Sequence, residues 1–428
     1  MNKSQANVAW IASVPAMALG LALTAPMAAQ TTPAPAPKPA GTGHADDAPN
    51  GNRSIWTLDV TADRKKHATM GGYTKKWDLS DLPHYLPKQH PTGTLRIWGS
   101  NYLKDGPLGA YWADAFKKFQ PGITIEYNLP TAGIAVPALA GKVADLAVGR
   151  PATLMDYLTF EQVFKYEPTE IIAATGSYDV YGWSPGFIIL VNSQNPLTQI
   201  SMKQLDGVFG TARNGGYDRS IWRTDYPYRR GAEDNIRTWD QLGLTGEWAG
   251  KPIHPCGQSP RANVQNVFQS LVMHGSDQWV EGYSTYANHA TPEGKINAWS
   301  TQVTKQVLSD SQSICIASPL TITPDGMREL AIQGFNGGPF VKRTLETTRD
   351  RSYPLINEIF FYANKPPGQT ADPKVDEFLH FILSQEGQQE IQHEGRYTPL
   401  TGAVVKAQIL KLEPSAGSKA TSEGGGSQ

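Results

Sequence analysis

Between residues 93 and 150 the hydrophobic pattern changes period again and again, and this alternation restricts the fold more than any other feature of the chain. "GTLRIWGS" reads as a strand that stops at a Gly-Ser turn. "GPLGAYWADAFKKFQP" follows, with Leu108, Tyr111, Trp112, Ala115, Phe116 and Phe119 on one helical side. "ITIEYN" returns to the two-residue period, "TAGIAVPALAGK" to helix and "ADLAVGR" to strand. Strand, helix, strand, helix, strand is the wiring of a parallel sheet covered by helices. Such sheets take their guests beyond the carboxyl ends of the strands. Here those ends are Gly99-Ser100, residues 128–131 and Gly149-Arg150.

The pattern resumes further on. "GFIILVN" reads as a buried strand, "SMKQLDGVFG" as a short helix with a glycine stop, and "RTWDQLGLTGEWAGKPIHPCG" as a loop that ends in a strand. "HPCGQSPRANVQNVFQSL" then opens a second cycle. Its polar loop feeds an amphipathic helix with Val264, Val267, Phe268 and Leu271 at helical spacing. The first N–H groups of such a helix are unpaired and suit an anion. Arg261, in the expected first turn, faces the unfavourable end of the helix dipole unless an anion is present. "SICIAS" and "EIFFYAN" are further strands, and "DPKVDEFLHFILSQEGQQEIQHEG" reads as one long helical segment opened by an Asp cap.

The ends of the chain are of another composition. Residues 1–29 read as a signal peptide around the run "VAWIASVPAMALGLALTA", the alternative being a retained membrane anchor. Residues 30–52 form a Pro/Ala-rich linker, residues 53–92 an irregular extension that packs on the body, and residues 406–428 a flexible tail. A periplasmic or secreted location follows from the signal, with no span in the mature chain. The balance of 38 basic and 39 acidic side chains offers nucleic acid no basic surface. Cys256 and Cys315 are either bridged or free, and they lack the spacing of a zinc site. "GWSPG" fits a nucleophile pattern but precedes a strand where a helix is required. The histidines show no metal-binding spacing and there is no phosphate-cradling loop. The expectation is a binder, not an enzyme, with no cofactor and no metal.

The order of these elements resembles the phosphate-binding, PstS-like family of periplasmic substrate-binding proteins of ABC transporters. The words that carry the resemblance are "YWADAFKKFQPGITIEYN", "GKVADLAVG", "ISMKQLDGVFG", "RTWDQLG", "YPLINEIFFYANKPPG" and "VDEFLHFILSQEGQQEIQHEGRYTPL". The resemblance implies a type II periplasmic-binding-protein-like fold: two α/β lobes joined by two hinge strands, with the ligand in the cleft between them. Residues 93–180 with 355–405 would be lobe 1 and residues 181–354 lobe 2. The partners implied are a small anion, phosphate or another oxyanion or organic anion, and an ABC permease.

The family grips its anion with hydroxyls, backbone N–H groups, one Arg and one Asp, and this chain departs from that set. The first hydroxyl position falls on Leu103, with Ser100 and Asn101 close by. The second falls on Ala132, between Thr131 and Gly133. The acidic position holds Arg150, an acceptor exchanged for a five-donor fork. Anchored on Phe268, the family's Ser-Gly-Thr becomes Ala262, Asn263 and Val264, its Arg becomes Gln258, and Arg261 stands three residues on. The candidate ligand set is therefore Ser100, Asn101, Thr131, Ala132, Gly133, Arg150, Gln258, Arg261 and Asn263. The reading expects Arg150 and Arg261 to face each other and clamp a strongly accepting anion. Ser100 and Thr131 also read as ordinary turn or cap residues, and Trp98, Trp183 and Trp222 as possible walls for an organic guest. The alternative function is a secreted sensor or scaffold that kept the fold and lost phosphate binding.

Overall fold

The computed structural model describes residues 71–180, 185–291, 296–317 and 323–414, and only the backbone of Asn263, Val264 and Ala290. The signal-peptide and linker readings, Trp183 and most of "GWSPG" lie outside the described residues.

Lobe 1 is built on a five-stranded sheet in the order Ile123–Asn128, Gly93–Gly99, Leu146–Gly149, Glu358–Ala363, Thr169–Thr175. The first three strands are parallel, and Glu358–Ala363 runs antiparallel to both of its neighbours. The two-residue period has its expected effect. Leu95 and Ile97 are wholly buried, while Thr94 faces solvent. The helix Leu108–Phe119 lays Leu108, Trp112 and Phe116 on the sheet, and the Trp112 indole N–H donates to the Gly387 carbonyl at 2.9 Å. The segment read as one C-terminal helix is two, Pro373–Ile382 and Gln385–Glu394. Ser384 divides them. Its hydroxyl donates to the Phe381 carbonyl at 2.7 Å and accepts from the Gly387 N–H at 3.2 Å, ending one helix and capping the next. A further helix, Gly402–Leu412, buries Val405 and Leu412, so residues 406–412 are helix and not the expected tail, and residues 415–428 lie outside the described residues.

Residues 71–92 lie along this lobe as a strap. Leu79, Leu82 and Tyr85 enter its core. Tyr85 donates to the Glu377 carboxylate at 2.6 Å, and Glu377 also accepts from the backbone of Lys88 and Gln89. At its start the strap reaches the first crossing between lobes. The Tyr73 hydroxyl donates to Asp179 Oδ1 at 2.9 Å and accepts from the N–H groups of Tyr178 and Asp179.

Lobe 2 carries a second five-stranded sheet in the order Ser284–Tyr286, His254–Gln258, Ser313–Ala317, Ile188–Asn192, Met327–Glu329. Cys256 and Cys315 are register partners on adjacent parallel strands, with Cα atoms 4.5 Å apart and a disulfide between them. The core of this lobe, centred on Phe187, Phe209, Trp239 and Phe268, shares no residue with that of lobe 1. An arm leaves it after the helix Met202–Phe209 and ends in the hairpin Gly216–Asp218 and Ile221–Arg223. The arm is rooted in a buried charge cluster. Arg213 donates to both Asp206 oxygens, at 2.8 and 2.7 Å, and Arg230 lies 3.4 Å from the same carboxylate.

The chain crosses between lobes twice, and the crossings hold each other. Phe187 N–H donates to Leu355 O at 2.7 Å, Gly176 N–H to Asn357 O at 2.8 Å, and the Tyr353 hydroxyl to Phe187 O at 2.8 Å. Gly186 permits this approach, because a Cβ there would stand 2.4 Å from the Leu355 carbonyl oxygen.

Candidate functional site: the cleft between the lobes

The carboxyl ends of the lobe 1 strands meet one another at a cleft. After Gly99 the chain turns at φ +139°, and a Cβ at that position would lie 1.8 Å from Val148 O. Only glycine fits there. The turn fixes Ser100, whose N–H donates to Val148 O at 2.8 Å, and sends the chain into the short helix Tyr102–Asp105. Asn101 donates from its side-chain amide to Asp105 at 2.6 Å. Beside this loop, Thr131 precedes the 3-10 turn Ala132–Ile134 in extended conformation, and its hydroxyl does not cap that turn. Gly149 lets the second loop press on the third strand, since a Cβ there would meet Ala132 O at 3.0 Å.

Ser100, Asn101, Tyr102, Thr131, Ala132, Gly149 and Arg150 line one cavity with Pro185 and Val267 from the side of lobe 2 and Asn357 and Glu358 at the second crossing. Its volume is about 70 Å³. Sites for drug-sized molecules occupy at least ~300 Å³, so this space suits a guest of a few heavy atoms. Most of its polar lining residues carry a hydroxyl or an amide, chemistry compatible with a small acceptor such as an oxyanion.

Two guanidinium–carboxylate pairs border it. Arg150 donates from Nη1 to Asp156 Oδ2 at 2.7 Å and to Pro151 O at 2.8 Å. Asp156 also closes the capping box of the helix Leu154–Phe164 with Thr153. Arg351 donates from Nε to Glu358 at 3.1 Å. Burial pushes the Glu358 carboxyl above its ordinary value, and Arg351 opposes that shift without cancelling it. The sign follows from linkage. The folded protein holds this proton more tightly than the unfolded chain, so the contribution of Glu358 to stability falls as pH rises from 4.5 through the raised folded value. Glu358→Gln is expected to flatten that part of the profile in urea melts taken at several pH values. Parallel profiles for wild type and variant would refute it.

The other sequence-derived candidates are placed differently. Gly133 sits within the 3-10 turn, next to the lining residue Ala132. Gln258 is buried at the end of its strand, with its backbone carbonyl accepting from the Tyr283 hydroxyl at 2.9 Å, and it is not on the cavity wall. Arg261 stands on an exposed turn before the helix Asn263–Val272. The expected two-arginine clamp is thus not formed. Arg150 is turned onto Asp156, six residues along its own chain, and Arg261 does not line the cavity. The helix Asn263–Val272 does border the cleft, but through Val267. The side chain of Asn263 lies outside the described residues. Trp222 is on the hairpin, half exposed and edge-on to Tyr217, away from the cavity. Sequence reasoning missed Asn357 and Glu358. The one available signal was a charged residue opening the otherwise apolar word "EIFFYA". Among the described residues no group of three or more His, Cys, Asp or Glu side chains is placed to hold a metal, and no helix is long and apolar enough to cross a membrane.

Two α/β lobes, two mutually bonded crossings and a small cleft at strand ends define a binding protein of the type II periplasmic-binding class. The PBP superfamily domain matches residues 87–386, well over half of the chain, and the protein belongs to that superfamily. The phosphate-binding protein PstS of Pseudomonas aeruginosa is 25% identical over 332 residues, covering 77% of this chain and 90% of that protein. Among solved structures, an ABC-type phosphate transport receptor from Vibrio cholerae is 17% identical with a TM-score of 0.42, covering 71% of this chain and 99% of its own. PstS from Borrelia burgdorferi is 14% identical with a TM-score of 0.43, covering 72% and 99%.

Proposed function

We propose that this protein is an exported solute-binding protein that captures phosphate, or another small oxyanion of that size, in the cleft and delivers it to an ABC permease. The observation that carries the reading is the cavity of about 70 Å³ where Ser100, Asn101 and Thr131 converge from two strand ends of lobe 1 against Val267 of lobe 2. The named activity of the P. aeruginosa relative supports the choice of phosphate. Binding proceeds by hydrogen bonding more than by net charge, because Arg150 and Arg351 each have a carboxylate beside them. The protein acts as a carrier and not as an enzyme.

The test is a thermal-shift and calorimetric titration with phosphate, sulfate and small carboxylates. A guest at about 100 times its Kd adds about 2.7 kcal/mol to apparent stability. Ser100→Ala with Thr131→Val is expected to weaken phosphate binding by about 1–3 kcal/mol, roughly five- to 150-fold. Wild-type protein indifferent to every oxyanion would sink the reading. It would favour instead a sensor or scaffold that kept the fold and lost its guest, a role to which the two internally balanced pairs are suited.

A further inference from the structure

The hairpin of lobe 2 does not end in solvent. Its turn, residues 218–221, lies on lobe 1 over the helix Leu154–Phe164 and the loop that follows it. Arg219 Nε is 2.8 Å from Glu167 Oε2, its Nη2 donates to Pro168 O at 3.3 Å, and its guanidinium lies 5.1 Å from the Tyr157 ring centre. The Ser220 hydroxyl is 2.7 Å from Glu167 Oε1 and 2.9 Å from Glu161 Oε1, and the Ser220 N–H donates to Glu167 Oε1 at 3.3 Å. These bonds join the lobes away from the two crossings.

Arg219 is the first central position of a two-residue hairpin loop and has φ +61°. That conformation favours Gly, Asn or Asp. An arginine there costs some backbone strain, as Lys142 and Lys165 do at exposed turns elsewhere in the chain. The arm is also stiff at its base, where Arg213 and Arg230 close on Asp206 and pair through their backbones.

We propose that residues 218–221 form a clasp, with Arg219 and Ser220 holding lobe 2 against lobe 1 and setting how long the guest stays in the cleft. Beyond the crossings, lobe 2 touches lobe 1 through the helix Leu345–Arg349, where Arg349 donates to Pro399 O at 3.1 Å beside the second crossing. Lobes joined on that side alone part by bending there. With the clasp made, they part only after the Arg219 and Ser220 contacts break. Arg219 and Ser220 are positioning residues that touch no guest. The effect on guest lifetime rests on the oxyanion reading given above, whereas the effect on lobe separation does not.

The experiment uses the full chain with spin labels at Lys118→Cys in lobe 1 and Lys305→Cys in lobe 2, the native cysteines remaining bridged. Without any ligand, Arg219→Ala with Ser220→Ala is expected to shift the label distances toward longer values, while Arg219→Lys retains part of the short population. Glu167→Gln should produce the same opening, and adding it to the double variant should add little. In stopped flow, the double variant should release inorganic phosphate about two- to fivefold faster, as expected when a half-exposed interaction across a closed interface is lost. Unchanged distances in a folded double variant overturn the clasp. Longer distances with an unchanged release rate overturn its control of the guest. If wild-type protein binds no phosphate, the oxyanion reading fails and the distance measurement alone decides the clasp.

Discussion

Replacing Asp206 with Ala is expected to cost about 3–5 kcal/mol of stability. Asp206, Arg213 and Arg230 have side chains 2%, 3% and 1% exposed, so two cations share one carboxylate out of reach of water. Deleting the carboxylate leaves both guanidinium groups buried without it. Burial already depresses the Arg230 value below that of an ordinary arginine, with Asp206 the main opposing influence. Arg213 would keep its bonds to the carbonyls of Pro227 and Tyr228, and Arg230 its bond to Asn235, but none of these neutralises charge. A urea unfolding series reads the loss directly. A change below about 1 kcal/mol would mean that water or rearrangement reaches the cluster, and that the base of the arm is softer than described.

Gly99→Ala is the second large effect, with an expected loss of about 3–5 kcal/mol. The new methyl group would lie 1.8 Å from Val148 O, and the residue would have to hold φ +139°. The obstacle is backbone, so no side-chain rotation relieves it. The neighbouring strand must move, and with it the bond from Ser100 N–H to Val148 O that fixes the first cleft loop. Stability and oxyanion affinity should therefore fall together. Wild-type stability in the alanine variant would show that the strand end gives way more easily than a tightly paired sheet permits.

The sheet of lobe 1 was legible because its signals are local. Period-two words such as "TLRIWG" and the helical stripe from Leu108 to Phe119 each fix an element without help from the rest of the chain. The strand-end rule likewise pointed to Ser100, Thr131 and Arg150, and all three line the cavity. The arginine clamp was not legible, because a guanidinium chooses its partner in space. Asp156 lies only six residues from Arg150, yet a helix cap had to form before its carboxylate could turn toward it. Glu358 escaped for a similar reason. Nothing local says that the first residue of an apolar strand faces the loops of three other strands. The arm was the least legible element. Its contacts join residues 50 to 60 positions apart, such as Ser220 with Glu161 and Glu167.

The strap has a practical consequence for anyone who trims this chain. The superfamily match begins at residue 87, yet Leu79, Leu82 and Tyr85 belong to the core of lobe 1. A fragment cut at the edge of homology would open a trench between the helices Leu108–Phe119 and Pro373–Ile382 and strand the Glu377 carboxylate without Tyr85. It would also release Asp179 from Tyr73. The packed unit is longer than the superfamily match, and expression boundaries are better drawn from the packing than from that match.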